Sequence, residues 1–162
     1  MKKSILLLAV TAMFLGACGN NSNKDTTSTN TKTVATGNEA VVTLSSGDDM
    51  KFDQSEIKVK AGQTVKLTLK HTGNMDATIM GHNFVLLASG VDFDGFVTAA
   101  MGAKATDYIP ASMQSDVLAH TKVVGGGETV TIEFTAPAAG TYDFLCSFPG
   151  HSGLMKGKFI VE

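Results

Sequence analysis

Cys146, His151 and Met155 fall within one ten-residue segment, Cys146-Ser147-Phe148-Pro149-Gly150-His151-Ser152-Gly153-Leu154-Met155, five and then four positions apart. Thiolate, imidazole and thioether together form a soft ligand set that suits copper in both oxidation states. Two histidines and a cysteine in a trigonal plane, with a long axial methionine, is the geometry of copper sites that pass single electrons. The plane requires a second histidine. His82 is the best placed of the remaining three, because in Gly81-His82-Asn83-Phe84-Val85-Leu86 it shares a strand face with Phe84 and Leu86 and points inward. A site that keeps one geometry in both oxidation states has little to rearrange when an electron arrives, and a rigid frame can impose that geometry.

The elements that must hold these residues are short strands. From Ala40 onward, apolar and polar residues alternate with period two and are split by Gly, Asp and Asn, the pattern of an all-β sandwich. Val65, Leu67 and Leu69 make one inward face, Val130, Ile132 and Phe134 another, and Tyr142 and Phe144 lead on the same face to Cys146. Further strands are expected at 41–44, 56–59, 82–87, 117–124 and 157–161, giving about eight in two packed sheets. Turns are expected at Gly47-Asp48, Ala61-Gly62, Gly73-Asn74, Gly125-Gly126-Gly127 and Ala139-Gly140. The stretch 88–116 breaks the rhythm: Val91, Phe93, Phe96, Val97, Ala100 and Met101 predict one short helix outside the sandwich.

Composition narrows the function. Of 162 residues, 13 are basic, all Lys, against 15 acidic, so no basic face exists for a nucleic acid backbone. Two cysteines cannot build a four-thiolate zinc or iron–sulfur site. No Ser/His/Asp arrangement or phosphate-cradling loop accompanies the inferred elements, and no small-molecule substrate is implied. If Cys146 were merely a buried core thiol, the spacing of His151 and Met155 and the intervening Phe-Pro-Gly would have no explanation. His71 continues the inward parity of Leu69 and reads as a buried, hydrogen-bonded structural histidine. His120 reads as a surface residue.

The other cysteine belongs to an address. Lys2 and Lys3, an apolar run from Ile5 to Leu15 and the small pair Gly16-Ala17 make residues 1–17 an export signal. That run is too short to span a bilayer, which takes about 20 apolar residues. Leu15-Gly16-Ala17-Cys18 resembles a bacterial lipobox, which implies cleavage before Cys18 and lipidation of its thiol. Residues 19–38 are almost all Asn, Thr, Ser, Lys and Gly and read as a flexible tether, with a root-mean-square reach of roughly 25 Å. Residues 39–162 are then the folded head, exported and lipid-anchored to a bacterial membrane. It should face the periplasm, and Gly19 mildly favours the outer membrane.

From about Val41 to the C-terminus the chain resembles the azurins and the related auracyanins, small bacterial cupredoxins. The segments that carry the resemblance are Met80-Gly81-His82-Asn83, Ala119-His120-Thr121-Lys122 and Cys146 through Gly157, in that order. It implies a cupredoxin-type Greek-key β-sandwich holding one type 1 copper ion. His82, Cys146 and His151 would be the strong ligands, Met155 the weak axial one, and the Gly81 carbonyl a distant fifth contact. The backbone N–H groups of Asn83 and Phe148 would bond the cysteine sulfur, and Asn83 would tie the two ligand loops together. Met50, Met75, Ile79, Met80, Met101, Phe148, Pro149, Gly153 and Leu154 would form an apolar docking patch around the edge of His151. Two departures stand out: Cys146 is the only cysteine of the head, so the usual disulfide is absent, and Phe84 replaces the usual core Trp.

The reading that unites these features is a lipid-anchored carrier of single electrons, not an enzyme. Its donor and acceptor would be redox proteins such as a cytochrome or another copper protein. A copper-storage or delivery lipoprotein would share every ligand, and differs in slow electron exchange and easy loss of metal. A copper enzyme needs a second centre, for which the remaining histidines do not suffice.

Overall fold

The computed structural model describes residues 33–162. The expected signal segment, Cys18 and most of the expected tether lie outside them.

Alternation builds the first sheet. β1 (Thr33–Thr36), β2 (Glu39–Ser46), β4 (Thr64–His71) and β7 (Thr129–Thr135) lie in the order β1-β2-β4-β7. In β2 the inward row is Ala40, Val42, Leu44 and Ser46; in β4 it is Val65, Leu67, Leu69 and His71. The two strands run parallel, with Leu44 beside Leu69 and Ser46 beside His71. The second sheet is β3 (Glu56–Val59), β9 (Lys156–Val161), β8 (Gly140–Leu145), β5 (Val85–Leu87) and β6 (Val117–His120), in the order β3-β9-β8-β5-β6. Among the described residues only β2/β4 and β3/β9 are parallel pairs; the rest are antiparallel. Between β2 and β4 the chain crosses to the second sheet to form β3, so a parallel pair arises without a helical crossover.

Two apolar clusters result. Leu44, Leu67, Leu69, Phe84, Leu86, Phe144 and Phe159 fill the space between the sheets. Val85, Leu87 and Leu145 pack in a second cluster with Phe96 and Ala100 of the short helix α2 (Phe93–Ala100), and with Tyr108 and Ile109. β5 is therefore buried on both faces, and the whole of 82–87 is buried, not only the row that contains His82. Phe84, Phe96, Phe144 and Phe159 are fully buried. Each contributes about 1.5–3 kcal/mol, the order of the roughly 2–4 kcal/mol of a typical disulfide.

Four local differences from expectation have physical reasons. Thr33–Thr36, assigned above to the tether, forms β1, because Gly37 takes a φ of 64° and lets a two-residue hairpin pair Thr36 with Glu39. β5 starts at Val85, later than expected, because the N–H of Asn83 turns to the Cys146 sulfur and that of Phe84 to the Thr121 hydroxyl. A single helical turn, α1 (Ala77–Met80), precedes it and is capped by Asp76, whose carboxylate accepts the Thr78 N–H at 2.8 Å. The triple glycine is more than a turn: a Cβ on Gly125 would collide with Ala77 and one on Gly126 with Asn74, so both let the segment leading into α1 lie directly against them. Among the described residues no helix is long and apolar enough to cross a membrane.

Candidate metal centre

His82, Cys146 and His151 come together at one end of the sandwich, each buried, with their ligand atoms all within 4.8 Å of one another. His82 is held twice. Its backbone makes a reciprocal pair with Val124, N–H to carbonyl at 2.9 and 2.8 Å, and its ring Nε2 lies 2.9 Å from the Gly47 carbonyl. A carbonyl only accepts, so Nε2 carries the proton and Nδ1 presents its lone pair to the site. The ring also stacks on His71, centroids 4.4 Å apart.

The other donors sit on a loop that closes on itself. The Cys146 N–H bonds the Met155 carbonyl at 2.9 Å, and the Met155 N–H returns to the His151 carbonyl at 2.8 Å. Phe148-Pro149-Gly150-His151 is a turn with Pro second and Gly third, Gly150 at φ 85°, closed by the His151 N–H on the Phe148 carbonyl at 3.1 Å. That is the residue order a type II turn demands. β8 ends at Leu145, so strand alternation stops before Cys146, which packs with Leu145, Phe148 and Met155 in the second cluster and not on the Phe144 face as parity implied.

The three donors lie close enough for one ion to join them, all within 4.8 Å of one another. His82 Nδ1 and His151 Nδ1 are 3.2 Å apart, and Cys146 Sγ is 3.8 Å from His151 Nδ1. Bonds of about 2.0 Å to nitrogen and about 2.3 Å to sulfur, as found for zinc, would place donors in a plane roughly 3.5 and 3.7 Å apart. Met155 is wholly buried beside them, its Sδ 3.9 Å from the Ser46 hydroxyl, and the Gly81 carbonyl oxygen is 4.0 Å from Cys146 Sγ.

Burial sets the protonation states. Desolvation pushes the Cys146 thiol up to about 11, opposed by hydrogen bonds from the Asn83 and Phe148 N–H groups. Desolvation lowers His151 to about 4, helped by the positive charge that His82 and His71 can carry, and lowers His82 as well. Both imidazoles are thus neutral and able to ligate at neutral pH. The thiol has to give up its proton to a cation that replaces the missing solvation.

Asn83 joins three segments. Its side-chain Nδ2 donates to the Asp107 carbonyl at 2.8 Å and to the Ser147 hydroxyl at 2.9 Å, and its Oδ1 accepts the Ser147 N–H at 2.8 Å. Of the expected patch, Met75, Ile79, Met101, Pro149, Gly153 and Leu154 are exposed, Ile79 at 67% and Leu154 at 61%. Met50 and Met80 are half-buried. Phe148 lies beneath the surface, its ring 4.7 Å from that of His151 and 5.1 Å from that of Tyr108. His120 is exposed. The Gly47 carbonyl, the Asp107 carbonyl and the Ser46 hydroxyl were missed in the sequence. Only Ser46 left a signal there, as the polar end of the inward row Ala40, Val42, Leu44.

Comparison with known proteins identifies the family. "Copper binding proteins, plastocyanin/azurin family" matches residues 38–162. The outer membrane protein H.8 of Neisseria gonorrhoeae is 44% identical over 119 residues, which cover 72% of this chain and 64% of that protein, so the match spans less than two thirds of its length. The azurin of Pseudomonas chlororaphis is 40% identical over 129 residues, 76% of this chain and 99% of that protein. The solved structure of auracyanin A, a "blue" copper protein of Chloroflexus aurantiacus, superposes with a TM-score of 0.69 at 35% identity, covering 76% of this chain and 99% of that one. The chain therefore belongs to the plastocyanin/azurin family of copper binding proteins, and its cofactor is copper.

Proposed function

We propose that the protein is a lipid-anchored carrier of single electrons, in which His82, Cys146 and His151 would hold copper, Met155 would be the weak axial ligand and the Gly81 carbonyl a remote contact. The observation that carries this reading is the convergence of two Nδ1 atoms and one Sγ, all buried, beneath an apolar surface. Copper supplies the one-electron change between Cu(I) and Cu(II). The residues supply constancy: Gly47 and Val124 fix His82, the closed loop fixes Cys146 and His151, and Asn83 locks the two together. The N–H groups of Asn83 and Phe148 share the charge of the Cys146 sulfur, which tunes the potential.

Exposed Met75, Ile79, Met101, Pro149, Gly153 and Leu154 are the surface on which a redox protein docks, with Phe148 against His151 beneath it. Redox encounters use small interfaces that release quickly, and apolar side chains without charge partners suit that. The partners are a donor and an acceptor protein, and no substrate is turned over. The lipobox at Cys18 and the likeness to a protein named for the outer membrane support export and anchoring to a membrane, the outer one favoured.

The test is the full chain loaded with Cu(II). An intense blue band, narrow copper hyperfine splitting and rapid electron self-exchange are expected, and all should vanish in Cys146→Ser. A pale tetragonal spectrum would overturn the site; slow exchange with ready loss of copper to a chelator would make the protein a store.

A further inference from the structure

The end of β2 presents two neighbouring groups to the metal centre. The Gly47 carbonyl orients His82, and the Ser46 hydroxyl meets Met155. Ser46 is the one polar residue in the inward row Ala40, Val42, Leu44, Ser46, and only 3% of it is exposed. Its backbone carbonyl is engaged by the Thr72 N–H at 2.8 Å and the Thr72 hydroxyl at 3.2 Å, so the direction of its side chain is set by the strand and not by a local turn. A buried hydroxyl requires an acceptor. The acceptor it faces is the Met155 Sδ, at 3.9 Å, a weak acceptor with lone pairs to spare.

We propose that Ser46 is a positioning and tuning residue: its hydroxyl donates a hydrogen bond to the Met155 sulfur and thereby raises the reduction potential of the site. A hydrogen bond occupies sulfur electron density that would otherwise be directed at the metal, so the axial donor is weakened. A weaker axial donor disfavours Cu(II) relative to Cu(I), and in sites of this kind the axial ligand tunes the potential. The same bond fixes the rotamer of a long, flexible thioether. The inference rests on Met155 being the axial ligand, so its test separates the two.

The copper-loaded full chain is titrated against a redox mediator as wild type, Ser46→Ala, Ser46→Thr and Met155→Leu, and as the Ser46→Ala/Met155→Leu double variant. At the wild-type midpoint, Ser46→Ala is expected to raise the Cu(II):Cu(I) ratio about threefold, the size of one weak hydrogen bond. Ser46→Thr keeps a hydroxyl and should stay near wild type. With the acceptor gone in Met155→Leu, adding Ser46→Ala should change nothing further. Retention of the blue band in each variant reports that the site is assembled. A Ser46→Ala potential equal to wild type, or an equal shift in both backgrounds, overturns the role of Ser46. A Met155→Leu variant with unaltered spectrum and potential overturns instead the axial assignment beneath it.

Discussion

His71 stacks face to face on His82, with ring centroids 4.4 Å apart and planes 12° from parallel. Its Nε2 lies 2.8 Å from the Met80 carbonyl and its Nδ1 accepts the Gly73 N–H at 3.1 Å, so each ring nitrogen has one task. Met80 ends α1, and His71 therefore satisfies one of the carbonyls that a helix end leaves orphaned. The pair joins β4 to the ligand segment through the ring and through the backbone at once.

His71→Leu should accordingly lower stability without abolishing the blue band. It removes two part-buried hydrogen bonds, each worth about 0.5–1.5 kcal/mol. His71→Gln, which offers both a donor and an acceptor, should recover part of the loss. Urea midpoints of the copper-free forms decide this; equal midpoints for Leu and Gln would show that ring stacking, not hydrogen bonding, is what His71 provides.

Asn83 is the polar knot between the two ligand loops and the segment around Asp107. Asn83→Ala removes three hydrogen bonds and leaves the Ser147 N–H and the Asp107 carbonyl unpaired. Removing partners that orient ligands costs about 10–100-fold in metal affinity. Competition with a chelator should show a loss of that order, together with a broader spectrum from a less uniform site.

The sandwich was legible because period-two alternation survives in almost every strand, from Val65 to Leu69 and from Val130 to Phe134. The proposed ligands could be grouped from the sequence because Cys146, His151 and Met155 share one loop, where spacing maps directly onto geometry. What escaped was backbone work. The carbonyls of Gly47 and Asp107 leave no trace in residue type, and Thr33–Thr36 looks like the polar stretch around it until Gly37 folds it back. Met50, Asp107 and Tyr108 take positive φ without being glycine, so the usual marker of such a turn was missing. Cys146 escaped its inferred face because alternation ends where the strand does.

Gly81 is a glycine for space and not for backbone freedom. Its φ of −71° is open to any residue, but a Cβ there would press on the Ala77 carbonyl, the Val123 side chain and the Phe148 ring. Gly81→Ala must push the His82 segment away from Phe148, whose N–H bonds the Cys146 sulfur. Overpacking of this kind costs about 1–3 kcal/mol. A lower melting temperature and a shifted charge-transfer band are expected together; a lower melting temperature with an unmoved band would mean that α1 alone gives way.

The buried groups proposed as ligands also set the pH range of the copper-free protein. His151 titrates at about 4 in the fold, against an ordinary value of 6.5. Between those values the unfolded chain binds a proton that the folded one refuses, so stability is full above about pH 6.5 and declines as pH falls toward 4. His82, lowered by the same burial, adds in the same direction. Cys146 acts oppositely: its thiol holds its proton up to about 11 in the fold, against an ordinary value of 9.0, so stability is full below the unfolded value and declines as pH rises through the folded one. Urea midpoints of the copper-free chain should therefore form a plateau near neutrality with losses on both sides. Cys146→Ser should flatten the alkaline limb alone, and His151→Gln should reduce the acid one. Alkaline loss that persists in Cys146→Ser would assign it to another group.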